Sequence, residues 1–124
     1  MTDGARILLL EDDRTIREAV SEALERRNYR VDAAESIEAF RKLLAAGPAA
    51  LALMDRNVRG ADALELMDEI RAGQPGVPVL MMSSDSTPEA VKHALARGVR
   101  SFLAKPFALT TLVATVEEAL GRRS

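Results

Sequence analysis

Glu11-Asp12-Asp13, Asp55, Ser83 and Lys105 are the side chains of this 124-residue sequence whose types suit chemistry on an anion. Carboxylates gathered in a crevice repel, and each raises the pKa of the others unless a cation neutralises the group. Their convergence therefore implies a metal. The chain has no cysteine and a single histidine, His93, so the donors on offer are oxygens. That favours a hard ion such as Mg2+, bound through a few carboxylates, waters and phosphate oxygens, over zinc. An ionised aspartate beside Mg2+ can attack a phosphoryl group, because the metal and a lysine cancel the charge on the transferring oxygens. Lys105 is that point charge. Ser83 offers a hydroxyl that would be drawn toward Asp55 only when phosphate is present.

These residues are far apart in sequence, so the fold must bring them together. Ile7-Leu8-Leu9-Leu10 is a short unbroken apolar run, the pattern of a strand buried on both faces, and the acidic triplet follows it directly. Arg30 to Ala34, Ala50 to Met54, Val77 to Met82 and Phe102 to Ala104 read as further strands, with Asp55 closing the third, Ser83 the fourth and Lys105 the fifth. Between them lie helical stripes. Ile16, Val20, Ala23 and Leu24 mark the first helix, to about Arg27, and Ile37, Phe40, Leu43 and Leu44 the second, which stops near Gly47-Pro48. Asp62 is the N-cap of a third carrying Leu64, Met67 and Ile70 as far as Gly73. Pro88 opens the fourth, which Gly98 caps, and Leu109, Leu112, Val113, Val116 and Leu120 stripe the fifth.

Five alternations of apolar strand and helix predict an α/β fold, a doubly wound parallel sheet with helices on both faces, as a single domain over residues 1–124. In such sheets functional groups gather beyond the carboxyl ends of the strands. Parallel topology thus delivers the acids, Ser83 and Lys105 to one edge. The net charge of −2, with acids and bases interspersed, offers no footprint for nucleic acid or an anionic membrane. The polar Met1–Ala5 stretch does not read as a signal peptide, and no apolar run is long enough to cross a bilayer. A cysteine-free chain fits the cytoplasm. The chain ends right after the fifth helix, in Gly121-Arg122-Arg123-Ser124, a frayed end or the stub of a linker. That leaves no room in this sequence for an output domain.

Over nearly its whole length the spacing of Glu11-Asp12-Asp13, Asp55, Ser83 and Lys105-Pro106-Phe107 resembles that of response-regulator receiver domains of bacterial two-component systems. The resemblance implies a flavodoxin-like sheet of five strands in order 2-1-3-4-5 with five helices. It implies a phosphorelay switch that takes a phosphoryl group onto Asp55 from a histidine kinase or histidine phosphotransfer protein. Asp12, Asp13 and Asp55 would then bind Mg2+ with the backbone carbonyl of Asn57, and Ser83 and Lys105 would hold the phosphoryl group. Asn57 and Asp85 would flank the water path of dephosphorylation, and the Lys105-Pro106 peptide would be cis. Phe102 falls at the aromatic that couples the site to a face made by the fourth helix, fifth strand and fifth helix, although plain core packing explains it equally well. Through that face the domain would control a target protein or output domain, or form a phosphorylation-dependent homodimer. As such a domain it catalyses only its own phosphorylation and dephosphorylation.

Two positions depart from the family pattern. Arg59 stands where a proline is usual and Ala63 where a glycine is usual, which leaves the loop after Asp55 less constrained. That loop keeps a second reading open, a receiver-like interaction module that acts without phosphate. A third, a phosphatase of the haloacid-dehalogenase type, would require an aspartate where Asn57 stands. Ser83 rather than its neighbour Ser84 is the hydroxyl in family register, and His93, among Glu89, Lys92 and Arg97, reads as a solvated residue with no phosphotransfer role.

Overall fold

The computed structural model describes residues 4–122, so the expectations for Met1–Ala5 and for the Gly121–Ser124 tail lie partly outside the described residues. The elements run β1 Arg6–Leu10, α1 Arg14–Glu25, β2 Arg30–Ala34, α2 Ile37–Ala45 and β3 Leu51–Asp55. A small ribbon follows, β4 Asn57–Val58 and β5 Ala61–Asp62, and then a 3-10 turn Ala63–Leu66 leading into α3 Met67–Gly73. The chain continues through β6 Val79–Ser83, α4 Pro88–Ala96, β7 Ser101–Ala104 and α5 Leu109–Ala119. β2-β1-β3-β6-β7 form one parallel sheet. With the ribbon set aside this is the expected order 2-1-3-4-5.

Period-two alternation sorts the strand residues into two cores. Leu8, Leu10, Ala52, Met54, Val79 and Met81 pack with Phe40, Ile70 and Ala94, on the side covered by α2, α3 and α4. Ile7, Leu9, Leu51, Leu53, Leu80 and Met82 pack with Val20, Leu24, Leu112 and Val116, on the side covered by α1 and α5. Every residue of β3 and β6 is buried, which is why these central strands read as continuous apolar runs; each fully buried Leu or Met contributes about 1.5–3 kcal/mol. Among the described residues no helix is long and apolar enough to cross a membrane.

Several boundaries move by one or two residues for local reasons. The fourth strand of the sheet starts at Val79 rather than Val77, because Val77 N–H turns back to the Gln74 carbonyl and Pro78 has no N–H to pair. The third helix divides. Asp62 caps as expected, its carboxylate accepting from Leu64 N–H, but it caps a 3-10 turn, and α-helical geometry begins only at Met67. The ribbon is a feature the sequence reading did not anticipate.

Gly98 supports the helix end assigned to it. It lies just beyond α4 at φ +101°, where Val99 N–H reaches back 3.1 Å to the Ala94 carbonyl. Arg71 of α3 donates to the Arg97 carbonyl at 2.9 Å, and a Cβ on Gly98 would run into that guanidinium. Gly98→Ala should therefore lower unfolding stability by about 1–2 kcal/mol, measured by urea denaturation, since it adds left-handed strain and displaces the Arg71 contact.

Candidate functional site

Asp55 is the last residue of β3 and Ser83 the last of β6, while Glu11 and Lys105 directly follow β1 and β7. The parallel sheet carries all four to its carboxyl edge. Glu11 is fully buried and Asp55 and Ser83 nearly so. Lys105 Nζ lies 2.7 Å from Glu11 Oε1 and 3.3 Å from Asp55 Oδ1, so one ammonium bridges two carboxylates. The same lysine's N–H donates to the Ser83 carbonyl at 2.8 Å, fixing the start of the loop against β6, and the Lys105-Pro106 peptide is cis.

One expected member of the acidic group changes. Glu11, Asp12 and Asp55 place carboxylate oxygens within 4.8 Å of one another, whereas Asp13 turns away: its Oδ1 accepts from Ile16 N–H at 3.0 Å and caps α1. Of the expected pair Asp12 and Asp13, the structure brings Asp12 into the cluster and places Asp13 at the helix cap, with Glu11 beside Asp12 in its stead. Strand phase explains this. Glu11 continues the face of Ile7 and Leu9, toward the side from which Lys105 arrives, while Asp13 occupies the residue before the first helical one, where a short acid satisfies orphan N–H groups. Both signals were present in the sequence.

The electrostatics match a crowded site. Burial pushes the Asp55 carboxyl up from 3.8 to about 6, Glu11 and Asp12 push the same way, and Lys105 only partly offsets them. Burial alone would lower the Lys105 ammonium, but the bond to Glu11 and the charge of Asp55 outweigh it and leave the group raised. Three close carboxylates with one ammonium among them, all oxygen donors, fit a hard divalent cation. This is a cluster that could bind a metal.

The remaining positions surround this centre. Ser83 Oγ accepts from Asp85 N–H at 3.1 Å, and Ser84 is exposed. Asp85 Oδ1 in turn accepts from Thr87 N–H and its hydroxyl, which hold the exposed Asp85 carboxyl below the usual range. Asn57 is exposed in β4, paired with Asp62. Phe102 of β7 is half-buried against the core shared with α4; His93 is exposed on α4. The sequence reading missed Arg17, which donates to the Glu11 and Asp12 carbonyls at 3.0 and 3.3 Å and holds the β1–α1 turn. An i+3 arginine on a helix face carried no signal for that. Ala63, at the usual glycine position, is fully buried in the α2–α4 core.

With this geometry the comparisons with known proteins agree. Residues 7–117 match the response regulator receiver domain family, and the chain belongs to it. It is thus a receiver domain of two-component phosphorylation signalling, the class that interacts with histidine kinases and output domains. Among its relatives, the response regulator protein FleR of Pseudomonas aeruginosa is 37% identical over 122 residues, which are 96% of this chain and 25% of that protein. The DNA-binding transcriptional regulator NtrC of Rhizobium meliloti is 33% identical over 94% of this chain and 24% of its own length. This chain thus spans about a quarter of either relative. Of solved structures, the receiver domain of NtrX from Brucella abortus superposes with a TM-score of 0.85 at 28% identity, covering 94% of this chain and 99% of that one. The non-phosphorylated HemR receiver domain of Leptospira biflexa gives 0.88 at 25% identity, covering 97% of each.

The displaced acidity of Asp55 makes a stability prediction. Its folded pKa lies above the unfolded value, so the folded chain holds the proton more tightly. Asp55 is then neutral and harmless at low pH and destabilises progressively as pH rises from about 4 through about 6. Asp55→Asn removes that effect. In chelator-treated protein the variant should be more stable than wild type at about pH 7.5, by at most about 3 kcal/mol, and converge with it near pH 4. Thermal melts at both pH values check this; a variant no more stable than wild type at the higher pH would contradict it.

Proposed function

We propose that Asp55 is the phosphoacceptor of this domain, and that it takes its phosphoryl group from the phosphohistidine of a histidine kinase or phosphotransfer protein. The observation that carries the reading is the Lys105 ammonium standing between Asp55 and Glu11 at a sheet edge with three carboxylates. A carboxylate oxygen of Asp55 forms the bond to phosphorus as the bond from phosphorus to the imidazole nitrogen breaks. Glu11, Asp12 and Asp55, with the Asn57 main-chain carbonyl, would hold Mg2+, which when bound supplies positive charge to the transferring oxygens. Asp13 is left out of this set because its carboxylate is committed to the helix cap.

Lys105 has a second anion to pair with once Asp55 is esterified, and Ser83 has a hydroxyl to donate to a phosphoryl oxygen. Ser83 Oγ now accepts from Asp85 N–H, which leaves its proton available to donate as the side chain moves toward the phosphoryl group. Phe102, half-buried at β7, fills or vacates the space that this movement changes, and alters the face of α4, β7 and α5 that meets a downstream target, an output domain or a second copy. Asn57 and Asp85 flank the approach of the hydrolytic water and set the lifetime of the acyl phosphate. The reading places the domain in the cytoplasm, where its phosphodonor is made.

Incubation with acetyl phosphate and Mg2+ should add a single phosphoryl group, detected by intact-protein mass spectrometry. Asp55→Asn, or chelation of the metal, should abolish the addition; a mutant that still acquires the label would overturn the assignment. Lys105→Ala should cost about a hundredfold or more in labelling rate, since removing one preorganised donor from where negative charge develops costs about 2.7–4 kcal/mol.

A further inference from the structure

The hairpin after Asp55 is where this chain leaves the family pattern, and it touches the metal cluster. Asn57 pairs with Asp62 and Val58 with Ala61, leaving Arg59-Gly60 as a two-residue turn. Both turn residues have positive φ, +51° and +83°, the signature of the type I′ turn that matches the twist of a tight hairpin. Proline is excluded from such a turn, because its ring locks φ near −65°. Arginine in this region is uncommon, and a strained backbone of this kind points to a role. Here it directs a donor: Arg59 N–H reaches Asp12 Oδ2 at 2.9 Å, across 47 residues of sequence. Proline has no N–H to give.

The rest of the ribbon holds that donor still. Val58 is 1% exposed in the core, Arg56 N–H bonds the Met82 carbonyl at 2.8 Å, and Ala63 N–H bonds the Arg56 carbonyl at 2.7 Å. The Arg59 guanidinium does less. It pairs with Glu35 at 3.4 Å, with both side chains more than half exposed, and a surface pair of that kind has little weight.

We infer that Arg59 is a positioning residue for the metal ligand Asp12, acting through its main-chain N–H at the tip of a type I′ hairpin and not through its charge. The inference rests on the proposed Mg2+ site. With Oδ2 bonded to a fixed donor, the Asp12 carboxylate, which lies within 4.8 Å of those of Glu11 and Asp55, is kept in a set orientation, the task that outer hydrogen bonds perform for metal-binding carboxylates.

Three proteins test it, titrated with Mg2+ alone by calorimetry so that no phosphorylation is needed. Arg59→Gly keeps both the N–H and the positive φ and should bind Mg2+ within about twofold of wild type. Arg59→Pro removes both and should bind about tenfold or more weakly, the usual effect of losing a bond that orients a metal ligand. A folded proline variant with wild-type affinity overturns the inference, and so does a glycine variant as weak as the proline one, which would make the side chain responsible. Wild type that binds no Mg2+ overturns both the inference and the metal site beneath it. Phosphate labelling lost in a proline variant of normal Mg2+ affinity would overturn the inference while leaving that site intact. Should the proline variant fail to fold, amide hydrogen exchange decides: the Arg59 N–H should be protected in wild type and lose that protection in Asp12→Ala, and equal exchange in the two proteins overturns the inference.

Discussion

Three carboxylates at the end of a buried sheet cannot remain together without positive charge, and the Lys105 ammonium is the protein's own share of it. Its position between Glu11 and Asp55 ties the outer strand β7 to β1 and β3 across the mouth of the sheet. The Asp55 carboxyl, held up at about 6 by burial and by Glu11 and Asp12, is only partly offset by that one lysine. The site is balanced short of neutrality, which is the electrostatic setting a hard cation would suit. The strand order serves this arrangement by setting β1 and β3 side by side at the point where the winding reverses, so that their terminal acids share one crevice.

Around that centre the chain supplies second contacts that fix the first ones. Arg17 grips the Glu11 and Asp12 carbonyls, Asp13 ties the same turn to α1, and the Arg59 N–H holds the Asp12 carboxylate. Two of these come from the start of α1 and the third from the β4–β5 turn. The crevice is therefore built by loops braced against one another, on strands that the two apolar cores hold rigid. Glu117 of α5 plays a comparable role at the far end, where it is buried and bonded to Arg27 and Tyr29, joining α5 to the end of α1.

Most of the fold was legible because its strands are apolar without alternation and its breaks carry Gly, Pro or capping residues. The runs Ile7–Leu10 and Leu51–Met54 announce central parallel strands, and Asp62 and Pro88 mark helix starts. Less legible was what depends on direction. The triplet Glu11-Asp12-Asp13 offers three chemically similar groups, and only strand phase and cap position separate the ones that enter the crevice from the one that does not. The hairpin at Arg59-Gly60 was illegible for a different reason. Its only marker is Gly60, and tertiary contacts of Val58 and Arg56 impose the left-handed conformation on a residue that seldom adopts it.

The hydrogen bond that Ser83 Oγ accepts from Asp85 N–H gives that hydroxyl a fixed resting position at the end of β6. The bond uses only an acceptor lone pair of Ser83, so the oxygen is held in place while the hydroxyl proton stays available for another acceptor. The fold thus sets where that oxygen sits, while the direction of its O–H is left open.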